Sequence, residues 1–270
     1  MSAHSEQRGV TVTTLKRLKR EGEKIACLTA YDASFAAVLD RSGVDVILVG
    51  DSLGMVIQGF DTTVPVTVDD VIYHARAVAR GSRRALRVAD MPFMSYTNYA
   101  QALSNAARLM QEGHAQMVKL EGGETQPGIV RELSAHGIPV CAHLGLQPQA
   151  VHKLGGYHVQ GKDSAAAAKM VEAAAAVEAA GAELLLLECV PAALAAEISA
   201  TAGIPVIGIG AGNGCDGQIL VLHDLLGVSV DRTPRFSRNF LSGADGIADA
   251  VCRYVRAVKD KTFPAAEHSF

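Results

Sequence analysis

The chain has 270 residues, 49% of them apolar, which suits one large α/β domain or two smaller ones with a substantial core. The formal net charge of −3 gives no electrostatic reason to expect nucleic acid or an anionic membrane as a partner. Five separated cysteines without a C-x-x-C pair indicate reduced thiols. The alanine-rich stretch 165–180 contains Lys169, Glu172 and Glu178, and the first residues lack a signal-peptide core, so we expect a cytoplasmic protein without a membrane span.

Glycines divide the chain into helix-like segments, each followed by an apolar run that is typical of a buried strand. The predicted strands lie near 24–30, 44–50, 85–90, 115–121, 138–144, 182–189 and 204–210, with a weak eighth near 228–230. The predicted helices lie near 32–42, 67–80, 98–112, 125–136, 164–180, 191–202, 215–226 and 245–258. A further helix near 13–21 is expected to close the bottom of the structure.

This alternation predicts a parallel sheet with right-handed crossovers, and about eight units in one chain is the size of a (β/α)8 TIM barrel. We therefore expect an α/β fold with a single barrel domain over residues 1–270. A doubly wound Rossmann-like sheet is the alternative, but the first strand is not followed by G-x-G-x-x-G. The long loops 52–66 and 145–163 follow predicted strands, so both are candidate lids over an active site.

Acidic residues stand at the ends of four predicted strands: Asp51, Asp90, Glu121 and Glu188. Carboxylates are costly to bury unless they are paired, protonated or bound to a metal, and a barrel brings its strand ends to one cavity. The first three would supply the oxygen ligands that Mg²⁺ prefers and leave positions for water and substrate. Either aspartate taken alone could instead cap a helix or form a turn.

Three residues on these strands are further candidates for catalysis or substrate binding. Lys119 shares a strand face with Glu121, and could bind a substrate carboxylate, form a Schiff base or pair with Glu121. Glu188 follows the run LLLL, where burial should raise its pKa to suit a general base, although it could instead cap the helix before Pro191. His143 ends the fifth strand and could donate to substrate or be structural.

Other motifs argue against competing sites. The chain has no H-E-x-x-H and no Cys/His zinc spacing, so a zinc site is not expected. The segment 156–163 nearly matches a phosphate-binding loop, but Asp163 replaces the hydroxyl residue and no strand leads directly into it. The glycine-rich run 208–214 could bring its backbone close to a substrate or an anion.

Eight segments carry a family signal that spans nearly the whole chain: LTAYDASFA (28–36), VGDSLGMVIQGFDTTVPVTVDDVIYHARAV (49–78), ADMPFMSY (89–96), VKLEGG (118–123), HLGLQPQ (143–149), GGYHVQGK (155–162), LLLECVP (185–191) and IGIGAGNGCDGQILVLHDLLG (207–227). In these segments the chain resembles the ketopantoate hydroxymethyltransferase family. The resemblance implies a (β/α)8 barrel that transfers a hydroxymethyl group from 5,10-methylenetetrahydrofolate to 2-oxoisovalerate (3-methyl-2-oxobutanoate). The products would be ketopantoate, for pantothenate biosynthesis, and tetrahydrofolate. It also implies a homo-oligomer, typically a decamer.

The resemblance also implies roles for individual residues, motif by motif. The implied Mg²⁺ ligands are Asp51, Asp90 and Glu121, and whether Glu121 binds directly or through a water stays open. The implied substrate-binding residues are Asp51, Ser52, Asp90, Lys119 and His143, the last with the least defined role. Glu188 is the implied proton acceptor. The chain departs from the family pattern at Met94, which would narrow the pocket, and at Arg235, where lysine is usual.

The implied chemistry agrees with the residues. A 2-oxo acid can chelate Mg²⁺, which then stabilises the enolate formed when C3 loses its proton to a base such as Glu188. Lys119 would neutralise substrate charge. Three alternatives stay open: a Mg²⁺-dependent carbon–carbon lyase or phosphonate-forming mutase, a Schiff-base aldolase that uses Lys119, and a catalytically silent metabolite-binding barrel.

Overall fold

A computed structural model describes residues 9–123, 125–229 and 233–270, and in this part of the chain parallel strands form a closed barrel. The strands are β1 (Ile25–Thr29), β2 (Val46–Val49), β3 (Leu86–Asp90), β4 (Met117–Glu121), β5 (Val140–Gly145), β6 (Leu184–Glu188), β7 (Val206–Ile209) and β8 (Gly217–Leu220). Each strand pairs with the next in chain order, and β8 pairs with β1. The (β/α)8 barrel is confirmed, since the Rossmann-like alternative has an open sheet.

Helices surround the barrel, and most of them follow a strand in the sequence. They are α1 (Val12–Glu21), α2 (Ala33–Arg41), α3 (Leu53–Val56), α4 (Val68–Gly81), α5 (Tyr99–Gln111), α6 (Pro127–Ala135), α7 (Val151–Leu154), α8 (Ser164–Ala179), α9 (Ala192–Thr201), α10 (Leu222–Leu226) and α11 (Ile247–Lys259). In α11, Tyr254 is fully buried and its hydroxyl lies 2.9 Å from the carbonyl oxygens of Cys27 and Gln218, which joins this helix to β1 and β8. Within the described ranges, no helix is both long and apolar enough to cross a membrane.

Helix α1 lies at the amino-terminal ends of the strands. The Nζ of Lys19 donates to Oδ2 of Asp216 at 2.6 Å, and Asp216 immediately precedes β8. Lys16 forms an ion pair with Glu183, which immediately precedes β6. These contacts hold α1 against the end of the barrel opposite to the one where the strands finish.

The sequence-based prediction of a helix over 215–226 is correct only for α10 at its end, and the strand predicted near 228–230 is not formed at residues 228 and 229. Strand β8 lies inside the expected helix, residues 228 and 229 belong to no helix or strand, and residue 230 lies outside the described residues. Gly217 pairs with Ile25 of β1 and Ile207 of β7. A Cβ at Gly217 would lie 2.4 Å from the carbonyl oxygen of Ile25. Pairing on both sides therefore outweighs the local helical pattern, and it requires glycine at this position.

The connection from β7 to β8 has no helix. Residues 210–216 make this connection, and Gly210 and Gly212 in it have φ angles of +61° and +74°. Such left-handed backbone is readily adopted by glycine, which explains the glycine-rich run that the sequence shows here. The other predicted strands and helices are confirmed to within a few residues.

Candidate active site

The carboxyl ends of the strands open into a cavity of about 590 Å³. All seven residues that the sequence points to line this cavity: Asp51, Ser52, Asp90, Lys119, Glu121, His143 and Glu188. Five of the eight strands or the residues directly after them supply these side chains, which are far apart in the sequence. Closure of the barrel brings them together.

Asp51 and Asp90 are buried neighbours at the ends of β2 and β3, with 4% and 2% exposure. The backbone N–H of Asp51 donates to Oδ2 of Asp90 at 2.9 Å. Burial raises the pKa of Asp51 well above its usual value, and the charges of Asp90 and Glu121 raise it further. Neither aspartate caps a helix, since the N-cap residues of α3 and α5 are Ser52 and Asn98, and the cap interpretation is therefore wrong. Asp51 does lie in a turn, where its carbonyl oxygen accepts from the backbone N–H of Gly54 at 2.9 Å.

Lys119 is the buried cation of the cluster. Its Nζ lies 2.5 Å from Oδ1 of Asp90, its partner across the β3–β4 pair, and 3.7 Å from Oε1 of Glu121. Burial lowers the pKa of Lys119, but the neighbouring carboxylates outweigh burial and raise it well above its usual value. A Schiff base requires the neutral amine, so this environment favours a charge-binding role for Lys119 over the aldolase alternative.

His143 lies between two glutamates. Its Nδ1 is 3.5 Å from Oε1 of Glu121 and its Nε2 is 3.3 Å from Oε2 of Glu188, and neither contact has hydrogen-bond geometry. The Glu188 side chain is 16% exposed, so it faces the cavity and is less enclosed than the LLLL run indicated. It caps no helix, because α9 begins after Pro191 without a side-chain cap.

Gln149 was not predicted as a site residue, although it is the last residue of the HLGLQPQ segment (143–149). Gln149 lies in a 3₁₀ turn (Pro148–Ala150) within the long loop after β5, and it is 6% exposed. Its Nε2 donates to Oδ2 of Asp51 at 2.8 Å, and its backbone N–H donates to Oε2 of Glu121 at 3.0 Å. The available signal was that this polar residue lies in a family segment directly after the end of β5.

Tyr31 was missed as well. Its hydroxyl lies 2.8 Å from Oγ of Ser52, the residue that follows Asp51. Burial raises the pKa of Tyr31, so the phenol stays protonated and can hydrogen bond to Ser52. Tyr31, on the β1–α2 connection, therefore orients the side chain of Ser52, which the sequence proposes for substrate binding.

The outer wall of the cavity is mostly apolar. Tyr157, from the loop after β5, and Phe236 and Phe270 line it together with Arg235, whose guanidinium lies 5.3 Å from the centre of the Phe270 ring. Met94 lines a different cavity of about 480 Å³. The expectation that Met94 narrows the main pocket is therefore wrong.

The carboxylates of the cavity are candidate ligands for Mg²⁺, which prefers oxygen donors. Within the described residues, no group of three or more His, Cys, Asp or Glu side chains is arranged to hold a metal ion. Asp51 and Asp90 form an adjacent pair, and Oε1 of Glu121 is buried without a hydrogen-bond partner. Mg²⁺ commonly binds through one or two carboxylates and keeps several waters. The chemistry of the donor set therefore fits a cation that binds through one or two of these carboxylates and keeps several waters.

Comparison with solved structures supports the fold. Phosphoenolpyruvate phosphomutase from Streptomyces platensis subsp. rosaceus superimposes with a TM-score of 0.61 over 80% of this chain and 83% of that chain. The sequence identity is 14%, so this likeness shows the barrel fold and nothing about the reaction.

Comparison of sequences is more specific. A relative from Halorhodospira halophila (strain DSM 244 / SL1), named 3-methyl-2-oxobutanoate hydroxymethyltransferase, is 59% identical over 99% of this chain and 97% of its own length. A relative of the same name from Alkalilimnicola ehrlichii (strain ATCC BAA-1101 / DSM 17681 / MLHE-1) is 62% identical over 98% of this chain and 95% of its own length. The family model described as ketopantoate hydroxymethyltransferase matches residues 9–266. The chain therefore belongs to the ketopantoate hydroxymethyltransferase family.

Proposed function

We propose that the protein transfers a hydroxymethyl group from 5,10-methylenetetrahydrofolate to 3-methyl-2-oxobutanoate, giving ketopantoate and tetrahydrofolate. Family membership supports this reaction, and so do the names of relatives at 59% and 62% identity. The observation that carries the proposal is that Glu188 faces the same cavity as the Asp51–Asp90 pair and Lys119. A base thus shares the cavity with groups that can bind an acidic keto compound.

The metal in this proposal is Mg²⁺. Asp51 and Asp90 would hold it directly, and Glu121 would hold it through a water. Bound there, Mg²⁺ would supply Lewis-acid stabilisation of the negative charge that forms on the keto oxygen. The unpartnered Oε1 of Glu121 and the adjacency of the two aspartates support this assignment.

The protein's own side chains would bind the substrate and accept its proton. The Lys119 ammonium and the Ser52 hydroxyl bind the substrate, and His143 lies beside Glu188 at 3.3 Å. Glu188 accepts the proton from C3, which is acidified by the neighbouring keto group. In the overall step, C3 forms a bond to the methylene carbon, water forms the bond that supplies the hydroxyl oxygen, and both bonds from the methylene carbon to the folate nitrogens break. The two nitrogens take up the proton removed from C3 and one proton of the water.

We further propose that the protein works in the cytoplasm as a homo-oligomer. All five cysteines are free thiols, which is consistent with a reducing compartment. Tyr73, Met94 and Tyr99 are 72%, 59% and 55% exposed, and large exposed apolar side chains are typical of surfaces that another subunit covers. The molar mass of the protein in solution tests the oligomer directly.

The proton-abstraction step can be tested without folate. We would incubate the protein with 3-methyl-2-oxobutanoate and Mg²⁺ in D₂O and follow the C3 proton by NMR. Exchange that requires both protein and metal is the expected result, and formation of ketopantoate on addition of 5,10-methylenetetrahydrofolate completes the test. If no exchange occurs even with tetrahydrofolate added, the assigned substrate is wrong.

A further inference from the structure

The loop after β5 reaches into the carboxylate cluster through one residue, Gln149. Besides its bonds to Asp51 and Glu121, the Nε2 of Gln149 donates to the carbonyl oxygen of Met91 at 3.0 Å. The same loop places Tyr157 in the wall of the cavity. Gln149 is therefore a direct link between the loop that walls the cavity and two of the three clustered carboxylates.

The side-chain amide of Gln149 has a defined orientation. The hydroxyl of Tyr96 lies 2.5 Å from Oε1 of Gln149, and it accepts a hydrogen bond from the backbone N–H of Glu121 at 3.3 Å. Because Oε1 can only accept, the Tyr96 hydroxyl must donate to it. The NH₂ group of Gln149 consequently faces Asp51.

These bonds divide the oxygens of the two carboxylates. The loop satisfies Oδ2 of Asp51 and Oε2 of Glu121. Oε1 of Glu121 is left without a hydrogen-bond partner in the described structure. One oxygen of each carboxylate is thus held in place by the loop. Oε1 of Glu121 lies 3.7 Å from Nζ of Lys119 and 3.5 Å from Nδ1 of His143 and can still accept a hydrogen bond or bind a ligand.

We propose that Gln149 is a positioning residue that orients Asp51 and Glu121 for a divalent cation and so couples cation binding to the order of the loop after β5. This inference rests on the metal site of the proposed function. Groups that hydrogen bond to metal ligands fix their orientation, and loss of such a group typically costs 10- to 100-fold in metal affinity. Coupling also works in the opposite direction, so the bound cation stabilises the loop.

The test uses Mn²⁺ alone, whose binding to the full-length protein can be followed by electron paramagnetic resonance. Gln149→Met keeps the length and shape of the side chain but removes its donors to Asp51 and Met91. We expect the Kd for Mn²⁺ to rise about 10- to 100-fold. The matched control is Gln147→Met, two residues earlier in the same loop, where the half-buried side chain lines the second cavity. The control should change the Kd by less than about twofold.

A second readout separates orientation from folding. Amide hydrogen exchange in residues 146–160 should slow when Mn²⁺ binds to the original protein, and it should respond much less in Gln149→Met. Tyr96→Phe, which removes the group that orients the amide, should weaken Mn²⁺ binding in the same direction but by a smaller factor. A thermal unfolding midpoint close to that of the original protein shows that the variant is folded when affinity is compared.

Two results overturn this inference in distinguishable ways. If the original protein does not bind Mn²⁺ or Mg²⁺, the metal site of the proposed function fails, and the coupling fails with it. If the original protein binds Mn²⁺ and Gln149→Met binds it equally well, the proposed metal site stands and the role of Gln149 is refuted.

Discussion

The Nε2 atom of His143 lies 3.3 Å from Oε2 of Glu188, on the neighbouring strand. Burial and the Lys119 charge lower the pKa of His143, but its contacts with Glu121 and Glu188 outweigh them and raise it to about 9. A protonated imidazole at this position attracts the Glu188 carboxylate, although their contact lacks hydrogen-bond geometry. This attraction supports the proposal that Glu188 is the base.

Replacing Glu188 by glutamine should abolish proton exchange at C3 of 3-methyl-2-oxobutanoate. The amide keeps the shape of the side chain but cannot accept the proton, and loss of a general base costs about 10²- to 10⁴-fold in rate. Exchange in D₂O followed by NMR measures the rate, and calorimetric titration measures keto acid binding. Glu183→Gln, at the other end of the same strand region, is the control and should exchange normally. Weakened binding with normal exchange would assign Glu188 to substrate binding instead.

Replacing Lys119 by methionine should leave Asp90 buried without its cation. Removal of one partner of a buried pair destabilises a protein by about 3–5 kcal/mol, and burial, no longer opposed by Lys119, then raises the pKa of Asp90 further. A carboxyl group whose pKa is raised in the folded protein lowers the free energy of unfolding at pH values above that pKa. This destabilisation decreases as the pH falls. In urea unfolding with EDTA, the deficit of the variant relative to the original protein should therefore be smaller at pH 5 than at pH 8. An equal deficit at both values would contradict this electrostatic account.

Replacing Tyr31 by phenylalanine should raise the KM for the keto acid and leave kcat almost unchanged. The change removes the hydroxyl that lies 2.8 Å from Oγ of Ser52, so Ser52 loses its fixed orientation. A typical hydrogen bond contributes about 0.5–1.5 kcal/mol, which corresponds to a KM increase of about 2- to 10-fold. Steady-state kinetics measures both constants. Tyr73→Phe, on an exposed side chain, should change neither, and a fall in kcat alone in Tyr31→Phe would refute this role.

Replacing Gly217 by alanine should destabilise the fold strongly. The added Cβ would lie 2.4 Å from the carbonyl oxygen of Ile25 and 2.6 Å from Cδ1 of Ile207. Overpacking of this kind costs about 1–3 kcal/mol and more where backbone must move, so we expect a loss of at least about 3 kcal/mol in the free energy of unfolding. Gly137→Ala is the control, because its Cβ would meet nothing within 4 Å although its φ angle is +77°. A comparable loss in both variants would contradict this steric account, because Gly217, unlike Gly137, does not adopt left-handed backbone.

The sequence predicts the seven strands β1 to β7 and the placement of the acidic residues, because each follows from a local pattern. An apolar run followed by an acidic residue is visible without knowledge of what lies beside it in space. The eighth strand is different: the pairing of Gly217 with Ile25 and Ile207 links distant parts of the chain. No local pattern contains that information, and the local pattern favours a helix.

The same lack of local information explains why Gln149 and Tyr31 were not predicted as site residues. Gln149 bonds to Asp51 across 98 positions of sequence, and Tyr31 contacts Ser52 across 21. Their contributions depend on where the connecting segments turn, which the spacing of polar residues does not determine. The carboxylates themselves could be predicted because strand ends in a barrel must converge.

The excess of carboxyl groups over cationic groups in the cavity has a kinetic consequence. Asp51, Asp90, Glu121 and Glu188 outnumber Lys119 and the protonated His143, so the cavity repels a keto acid anion until a divalent cation offsets the excess charge. Binding would then follow a compulsory order, in which the cation enters before the acid. Saturating acid would trap the cation in the ternary complex, and chelators would inactivate the enzyme more slowly as the acid concentration rises.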